Sequence, residues 1–357
     1  MKIMQIIPVF KVAGAEIMCE NLCVALKNAG QDVIAVSLYS EKTAITKRLE
    51  QNGIRIVYLN KKPGFDITMI TKLLKLFKDE KPDVVHTHIY ASKYALPAAV
   101  LASIRKKVHT AHNIAQKEQG FLGMKINGFM YSHFNVVPVA LSQEIKESIK
   151  SVYGLADYKI PVVFNGIDLS KCIVKNCYER NNPFTIIHIG RFMDVKNHKL
   201  LVQAFAKFCD KYQNVKLQLL GEGELLEEVK KMVKSLEIDE KVEFLGLQSN
   251  VYPYLNNADV FCLPSKYEGV PMTLIEAMGT GLPIIASNVG GIPDMLTNEI
   301  NALLINPNKN ELVSALDLVC NNLELRQKIG CEAKIRSKDF SAETMACRYL
   351  NIYELRG

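Results

Sequence analysis

The 357 residues contain no tryptophan, no C-x-x-C pair, no apolar run near 18 residues, and no internal repeat or low-complexity tract. Each absence narrows the choice. Nine scattered cysteines make neither a zinc ribbon nor a disulfide framework, so they read as reduced, small core residues of a cytoplasmic protein. Without a long apolar run, no helix spans a membrane. The first ten residues, MKIMQIIPVF, hold one lysine and a short apolar run that Gln5 and Pro8 interrupt, and no small-residue cleavage site follows. That pattern is a first β-strand rather than a secretory signal.

What is present is ample core material, 48% hydrophobic, in a chain long enough for two domains of ordinary size. The net charge of +7 is unevenly placed: residues 1–167 carry 22 Lys and Arg against 13 Asp and Glu, the remainder 22 against 24. The basic half either expects an anionic partner, such as a membrane surface or a lipid-linked diphosphate, or carries its charge for solubility. Nucleic acid is not expected, because no recognition motif accompanies the charge.

Along the chain, short apolar runs alternate with amphipathic segments, the pattern of an α/β protein with parallel sheets. Residues 1–10 are a strand, and VAGAEIMCENLCVALKNAG opens a helix whose first turn, Gly14-Ala15-Glu16, offers backbone N–H groups to a phosphate or is a plain helix cap. A helix is expected over 66–80 with Asp66 as its N-cap and Ile67, Ile70, Leu73, Leu74 and Phe77 on its apolar face. The next strand carries His86 and His88, which point the same way; zinc would need ligands that the sequence does not place beside them. The strand after that ends at His112-Asn113, facing a crevice or packed in the core. Residues 162–171 are the hinge, with a domain boundary near residue 170.

The second half restarts the pattern. A strand ends at Gly190-Arg191, with Lys196 at the junction to the next helix, a cationic clamp for a diphosphate or ordinary surface charge. The densest signal is Pro264–Met295. It reads as loop, short helix stopped by Gly279 and Gly281, strand, and Gly-rich loop after the strand VFCLP. Glu268 and the glycines Gly290 and Gly291 therefore fall past the carboxyl ends of neighbouring parallel strands, where open α/β sheets bind ligands. A carboxylate there can accept both hydrogen bonds of a vicinal diol, although Glu276 would also serve as a first-turn partner of the helix dipole.

Glu268-Gly269, Pro271, Leu274-Ile275-Glu276-Ala277-Met278, Gly281-Leu282-Pro283 and Gly290-Gly291 together closely resemble the donor-site signature of retaining glycosyltransferases of the GT-B fold, the large family-four group. The resemblance covers nearly the whole chain and is looser in the first half. It implies two Rossmann-like, doubly wound parallel-sheet α/β domains facing across a cleft: an acceptor domain at 1–170, a donor domain at 171–340, and a C-terminal helix at 341–357 packing back on the first. It implies a nucleotide-sugar donor, with Glu268 near the sugar beside Gly269 and Val270, Glu276 on the ribose, and Gly190, Arg191 and Lys196 on the diphosphate. The loop at Gly246 would hold the base, and Gly14 and Ala15 would complete the donor site, with alanine standing where the family usually has a second glycine. His112 would contact the donor sugar, and His86, His88 and Asn113 would lie on the acceptor side.

The implied reaction is hexosyl or N-acetylhexosaminyl transfer from a UDP-sugar to a glycan or lipid-linked glycan, with no cofactor and no metal. No D-x-D occurs, which argues against the metal-dependent alternative fold. The expected location is the cytoplasm, peripheral on the inner face of the plasma membrane. An epimerase or phosphorylase of the same fold, or a catalytically silent homologue, would share these features.

Overall fold

The computed structural model describes residues 1–11 and 13–355. Val12, at the opening of the first expected helix, and the last two residues of the expected 341–357 segment lie outside the described residues. The chain forms two compact units: Met1–Ile167 together with the segment from Ser341 onward, and Asp168–Phe340.

The first unit holds β1 (Lys2–Ile7), β2 (Asp32–Ser37), β3 (Arg55–Tyr58), β4 (Val84–His88), β5 (Lys106–Ala111) and β6 (Val136–Ala140). All pair in parallel, in the order β3-β2-β1-β4-β5-β6. The second unit holds β7 (Phe184–Ile189), β8 (Val215–Leu220), β9 (Val242–Gly246), β10 (Val260–Leu263), β11 (Ile284–Ser287) and β12 (Leu303–Ile305), again all parallel, in the order β12-β11-β10-β7-β8-β9. Read from its first strand, each sheet has the Rossmann order, which reverses direction between its first and fourth strands. That switch point leaves a crevice at the carboxyl edge where a ligand binds. The runs KIMQII and FTIIHI are apolar on both faces because helices cover both sides of a parallel sheet.

Two details differ from the expected pattern. The helix expected from residue 66 spans Thr68–Glu80, although the Asp66 carboxylate still accepts the Thr68 N–H at 3.1 Å. Ile67 therefore precedes the helix and stands 60% exposed, and Met69 takes its place in the core. Gly279 does not stop its helix. Met272–Thr280 runs through it, and glycine is what fits there, since a Cβ at 279 would sit 2.5 Å from the Cys172 sulfur; Gly281, at φ +73°, supplies the left-handed stop.

The helix Ala342–Glu354 returns to the first unit and packs on the helix Gly14–Asn28. Its entry is fixed by the Ala342 N–H, which donates to the Ile167 carbonyl at 2.7 Å. Met345, Ala346, Tyr349, Ile352 and Tyr353 are its buried face.

In the second unit the loop after β11 passes over the loop after β10. Gly291 N–H donates to the Glu268 carbonyl at 2.9 Å, and a Cβ on Gly290 would lie 1.9 Å from that same oxygen at a φ of +55°. Only glycine allows this approach. Gly290→Ala is therefore expected to destabilise the second unit by about 1–3 kcal/mol, several degrees in melting temperature. Gly269→Ala, whose Cβ would meet open space, serves as the control. Thermal melts of the two variants check this, and equal melting temperatures would remove the close-approach argument.

Candidate active site

The switch point of the second sheet lies between β7 and β10, and the loops that follow these strands carry the charged residues. The loop after β7 turns through Gly190–Arg191 and closes in a short 3-10 turn at Asp194–Lys196, after which Asn197 adopts φ +57°. It is stitched to the loop after β10. Asn197 Nδ2 donates to the Pro264 carbonyl at 3.1 Å, and the Lys266 N–H donates to the Val195 carbonyl at 2.8 Å.

Lys196 and Glu268, 72 positions apart, meet directly. Lys196 Nζ donates to both carboxylate oxygens of Glu268, at 2.7 and 2.9 Å, and Ser265 Oγ donates to Oε1 at 2.6 Å. The pair is shielded, with side-chain exposures of 18% and 8%. The two residues expected on separate parts of a donor are thus one unit. Arg191, by contrast, is exposed, and among the described residues it makes no ion pair.

Beneath this loop lie two histidines that the sequence pattern did not single out. His188 Nδ1 donates to the Cys262 carbonyl at 2.8 Å, and its ring stands edge-on to His198, centroids 4.6 Å apart, while His198 stacks on Phe192. Burial lowers both from the ordinary histidine range, to about 4 and about 2, and the Lys196 charge pushes the same way. The floor of the loop is therefore neutral at physiological pH. His188 Nε2 would lie 2.9 Å from a Cβ on Gly190, so glycine is what fits there.

Glu276 sits on the second turn of Met272–Thr280, half-buried, with no hydrogen-bond partner among the described residues. Desolvation pushes its carboxyl up to about 7. Its field, added to burial, helps raise the Cys172 thiol to about 12 and raises the Tyr252 hydroxyl as well, which places both side chains near it. Gly269 borders open space, Val270 is buried, and Gly246 ends β9 at φ +63°.

In the first unit the same sheet edge carries the other candidates. Gly14 and Ala15 form the first turn of the helix after β1, with no side-chain cap. His86 and His88 do share one face of β4, but both are fully buried. His86 bonds Tyr353 OH and Thr110 Oγ1, each at 2.7 Å, and Thr110 bonds Tyr349 OH at 2.7 Å. His88 bonds Gln5 Oε1 at 2.9 Å and His112 Nε2 at 3.0 Å. The network locks β1, β4 and β5 to the C-terminal helix. Burial lowers the titration of all three histidines, His112 to about 3, so they are neutral. Of the three, His112 is the one with a solvent-facing surface. Beside it, Asn113 is half-buried, its Oδ1 accepting the Ile114 N–H at 2.9 Å. Among the described residues, no three His, Cys, Asp or Glu side chains gather as a metal site.

Two six-stranded parallel sheets of Rossmann order, one in each unit, are the architecture of the GT-B fold. The Glycosyltransferase Family 4 profile matches residues 12–171 and the Glycosyl transferases group 1 profile residues 175–336, and the chain belongs to this family. An Escherichia coli UDP-Gal:alpha-D-GlcNAc-diphosphoundecaprenol alpha-1,3-galactosyltransferase is 31% identical over 297 residues, 76% of this chain and 75% of that one. The N-acetyl-alpha-D-glucosaminyl L-malate synthase of Bacillus anthracis is 28% identical over 311 residues, 82% and 79%. The structure of Anabaena HepE in complex with UDP superposes with a TM-score of 0.86 at 19% identity, covering 98% of this chain and 99% of that one.

The buried pair can be tested apart from activity. Removing either partner strands a shielded charge, so Lys196→Ala and Glu268→Gln should each destabilise the protein, by up to about 3 kcal/mol. The double variant should cost much less than the sum, with a coupling of about 0.5–3 kcal/mol in a double-mutant cycle. Additive losses would show that the two side chains act separately.

Proposed function

We propose that the chain is a retaining, metal-independent hexosyltransferase that moves a hexose or N-acetylhexosamine from a UDP-sugar to a hydroxyl of a glycan or lipid-linked glycan. The observation that carries the donor reading is the pairing of an unpartnered, desolvated carboxyl, Glu276, with an exposed cation, Arg191, and a pre-oriented one, Lys196, around one switch point. Glu276 would accept the ribose diol. Arg191 and Lys196 would hold the diphosphate, with Gly190 giving close backbone approach. Glu268, beside Gly269 and Val270, would lie at the sugar and hold Lys196 in place. The Gly246 loop would receive the base.

In the reaction the bond from the sugar C1 to the diphosphate oxygen breaks, and a new C1–O bond forms to the acceptor oxygen on the same face. The acceptor proton passes to the departing phosphate oxygen. Charge grows on the diphosphate as it leaves, where fixed cations stabilise it without reorganising; one such donor is typically worth about a hundredfold in rate. His112 would serve the transferred sugar. Buried His86 and His88, with Asn113, would shape the acceptor side through His112 rather than touch the acceptor themselves.

The relatives support the choice of donor and acceptor: the Escherichia coli enzyme is named for UDP-galactose and a diphosphoundecaprenol acceptor, and HepE is seen with UDP. A panel of UDP-, GDP- and ADP-sugars, followed by thermal stabilisation and by nucleotide release in the presence of EDTA, tests the proposal. A UDP-sugar at a hundred times its Kd should add about 2.7 kcal/mol. Arg191→Ala should cut turnover about a hundredfold. Loss of activity with EDTA, restored by magnesium or manganese, would rule out the metal-free mechanism. Conversion without an acceptor would indicate an epimerase, and stabilisation without turnover a silent homologue.

Glu276 adds a pH dependence. Its folded value lies above its ordinary one, so the stability it contributes is present at acidic pH and is lost as pH rises through about 7. Binding a diol favours the ionised form, so UDP affinity should gain from this group as pH rises from 6 to 8. Calorimetry on Glu276→Gln should show weaker binding and a flatter pH dependence; an unchanged slope would take the ribose role from Glu276.

The basic first unit is proposed to meet the anionic inner membrane surface. No described helix is long and apolar enough to cross a membrane. Phe121 and Leu122 stand 75% and 56% exposed, beside a groove lined by Lys93 and Lys117, and Lys125 lies 5.1 Å from the Phe121 ring. Sedimentation with anionic vesicles should fall as salt shortens the screening length toward about 8 Å, and should drop further in Phe121→Asp. Equal binding to neutral and anionic vesicles at low salt would refute it.

A further inference from the structure

The carboxyl edge of the first sheet carries lysines without counterions. After β4 come the 3-10 turn Ile89–Ala91 and the helix Ser92–Leu101, with Lys93 in its first turn. After β5 the chain passes His112 to the short helix Ala115–Glu118 and then the helix Phe121–His133. Between these two connections lies an open groove of about 490 Å³, walled in part by Tyr90, Lys93, Lys117, Glu118, Phe121 and Leu122. Sites for small ligands span about 300–1,000 Å³. Buried Gln119 fixes one wall to the other: its Nε2 donates to Ser92 Oγ at 2.6 Å and to the Ile89 carbonyl at 3.3 Å. Two lysines at this edge differ in their commitments. Lys61 is buried, and its ammonium donates to the Lys62 carbonyl at 2.7 Å, to Tyr39 OH at 3.2 Å and to the Gly64 carbonyl. Lys93 has no hydrogen bond or ion pair among the described residues. Its Nζ sits 4.8 Å from the Tyr90 ring centre and 5.1 Å from that of Tyr94. Ring faces attract the charge but use none of its N–H groups as an oxygen would. Burial, and then the Lys61 charge, push Lys93 below the ordinary lysine range. The carboxyl in the walls offers no neutralisation: Glu118 turns inward, 5% exposed, and its Oε2 accepts the His112 N–H at 3.0 Å.

We infer that this groove holds the diphosphate of a lipid-linked acceptor, with Lys93 and Lys117 on the phosphates and Phe121 and Leu122 against the first carbons of the lipid. A bulk anionic membrane needs only exposed charge, which lysines elsewhere on the unit supply. A part-buried ammonium steadied between two rings gains most from phosphate oxygens that enter the groove and take its N–H groups. Apolar side chains stand beside it. Phe121 and Leu122 project from the far wall, and Phe65, 56% exposed, lies 5.5 Å from the Tyr94 ring. Charge and apolar surface side by side fit one amphiphile with a phosphate head and a hydrocarbon tail. Glu118 borders the groove and holds the His112 backbone, so a sugar carried on that diphosphate would lie toward His112. The inference rests on the proposed transfer to a lipid-linked glycan for the use of the site, and not for its binding chemistry.

Calorimetry without vesicles tests the site, using farnesyl diphosphate below its micelle concentration, inorganic diphosphate and farnesol as probes. Saturating UDP is present throughout, so that the cations of the second unit are not what is read. Farnesyl diphosphate should bind about tenfold or more tightly than either inorganic diphosphate or farnesol. Lys93→Ala should weaken it about tenfold, and so should Lys93→Gln, which keeps a stem between the rings. Phe121→Ser should remove the advantage of farnesyl diphosphate over inorganic diphosphate. Lys75→Ala makes the same change of charge on the helix Thr68–Glu80 and should leave binding unchanged. Equal losses in Lys93→Ala and Lys75→Ala would reduce the effect to net charge and overturn the groove. Farnesol binding as tightly as farnesyl diphosphate would overturn the phosphate contacts. Capture by anionic vesicles with no binding of farnesyl diphosphate would make this face a membrane contact and overturn the acceptor site. Binding that depends on Lys93, in a protein that no nucleotide sugar stabilises, would uphold this site and reject the donor reading.

Discussion

The second unit of this protein depends on one carboxylate. Glu268 binds the loop after β7 through Lys196, its own loop through Ser265, and the loop after β11 through its main-chain carbonyl. A shielded ion pair seldom adds much stability, since desolvation offsets most of its attraction. Its value here is geometric. An ammonium on a flexible four-carbon stem carries rotamer freedom that a phosphate site would otherwise have to freeze on binding. Two bonds to Glu268 freeze it in advance, and one N–H of the ammonium is left over.

The two sheets use the same switch-point edge with opposite chemistry. In the second unit that edge is charged, over a floor of neutral histidines. In the first unit it is a closed network of neutral rings and hydroxyls, Gln5, His86, His88, Thr110, Tyr349 and Tyr353, each satisfied by another. A network in which every member is paired fixes a single arrangement. Two of its members come from the C-terminal helix, so the first sheet's edge is completed by residues more than 200 positions beyond its last strand.

Much of this was legible in the sequence, because it rests on local pattern. Apolar runs alternating with amphipathic segments specify parallel strands and covering helices. The placement of Glu268 and Glu276 on a loop and on the helix that loop begins followed from strand and turn signals alone. What was not legible depends on meetings across long stretches of chain. Lys196 and Glu268 read as two separate ligands, since nothing in spacing says that side chains 72 positions apart will touch. The strand alternation put His86 and His88 on one face but could not say that Tyr349 and Tyr353 would cover it. Asp66 capped the expected helix, yet Ile67 was misread as core: a period of 3.6 does not report where the first turn begins. Gly279 looked like a stop because the tight fit of Cys172 against it is a tertiary fact.

One buried-side carboxyl of the second unit, Glu276, and one exposed cation on the loop after β7, Arg191, bear on the proposed donor. Arg191 is exposed and Glu276 is desolvated, and among the described residues neither has an ion-pair partner. Selection for stability alone would pair or neutralise Glu276, since an unpartnered carboxyl in a desolvated place costs free energy. Their environments also differ in the direction a ligand requires. A guanidinium in water waits for an anion that arrives hydrated and multiply charged. A carboxyl out of water gains most from hydroxyl donors that replace the solvent it has lost. A nucleoside diphosphate carries both kinds of group, phosphates at one end and a ribose diol at the other. In the proposed complex, a nucleotide donor would meet Arg191 with its phosphates and Glu276 with its ribose diol, supplying Glu276 the partners it lacks among the described residues.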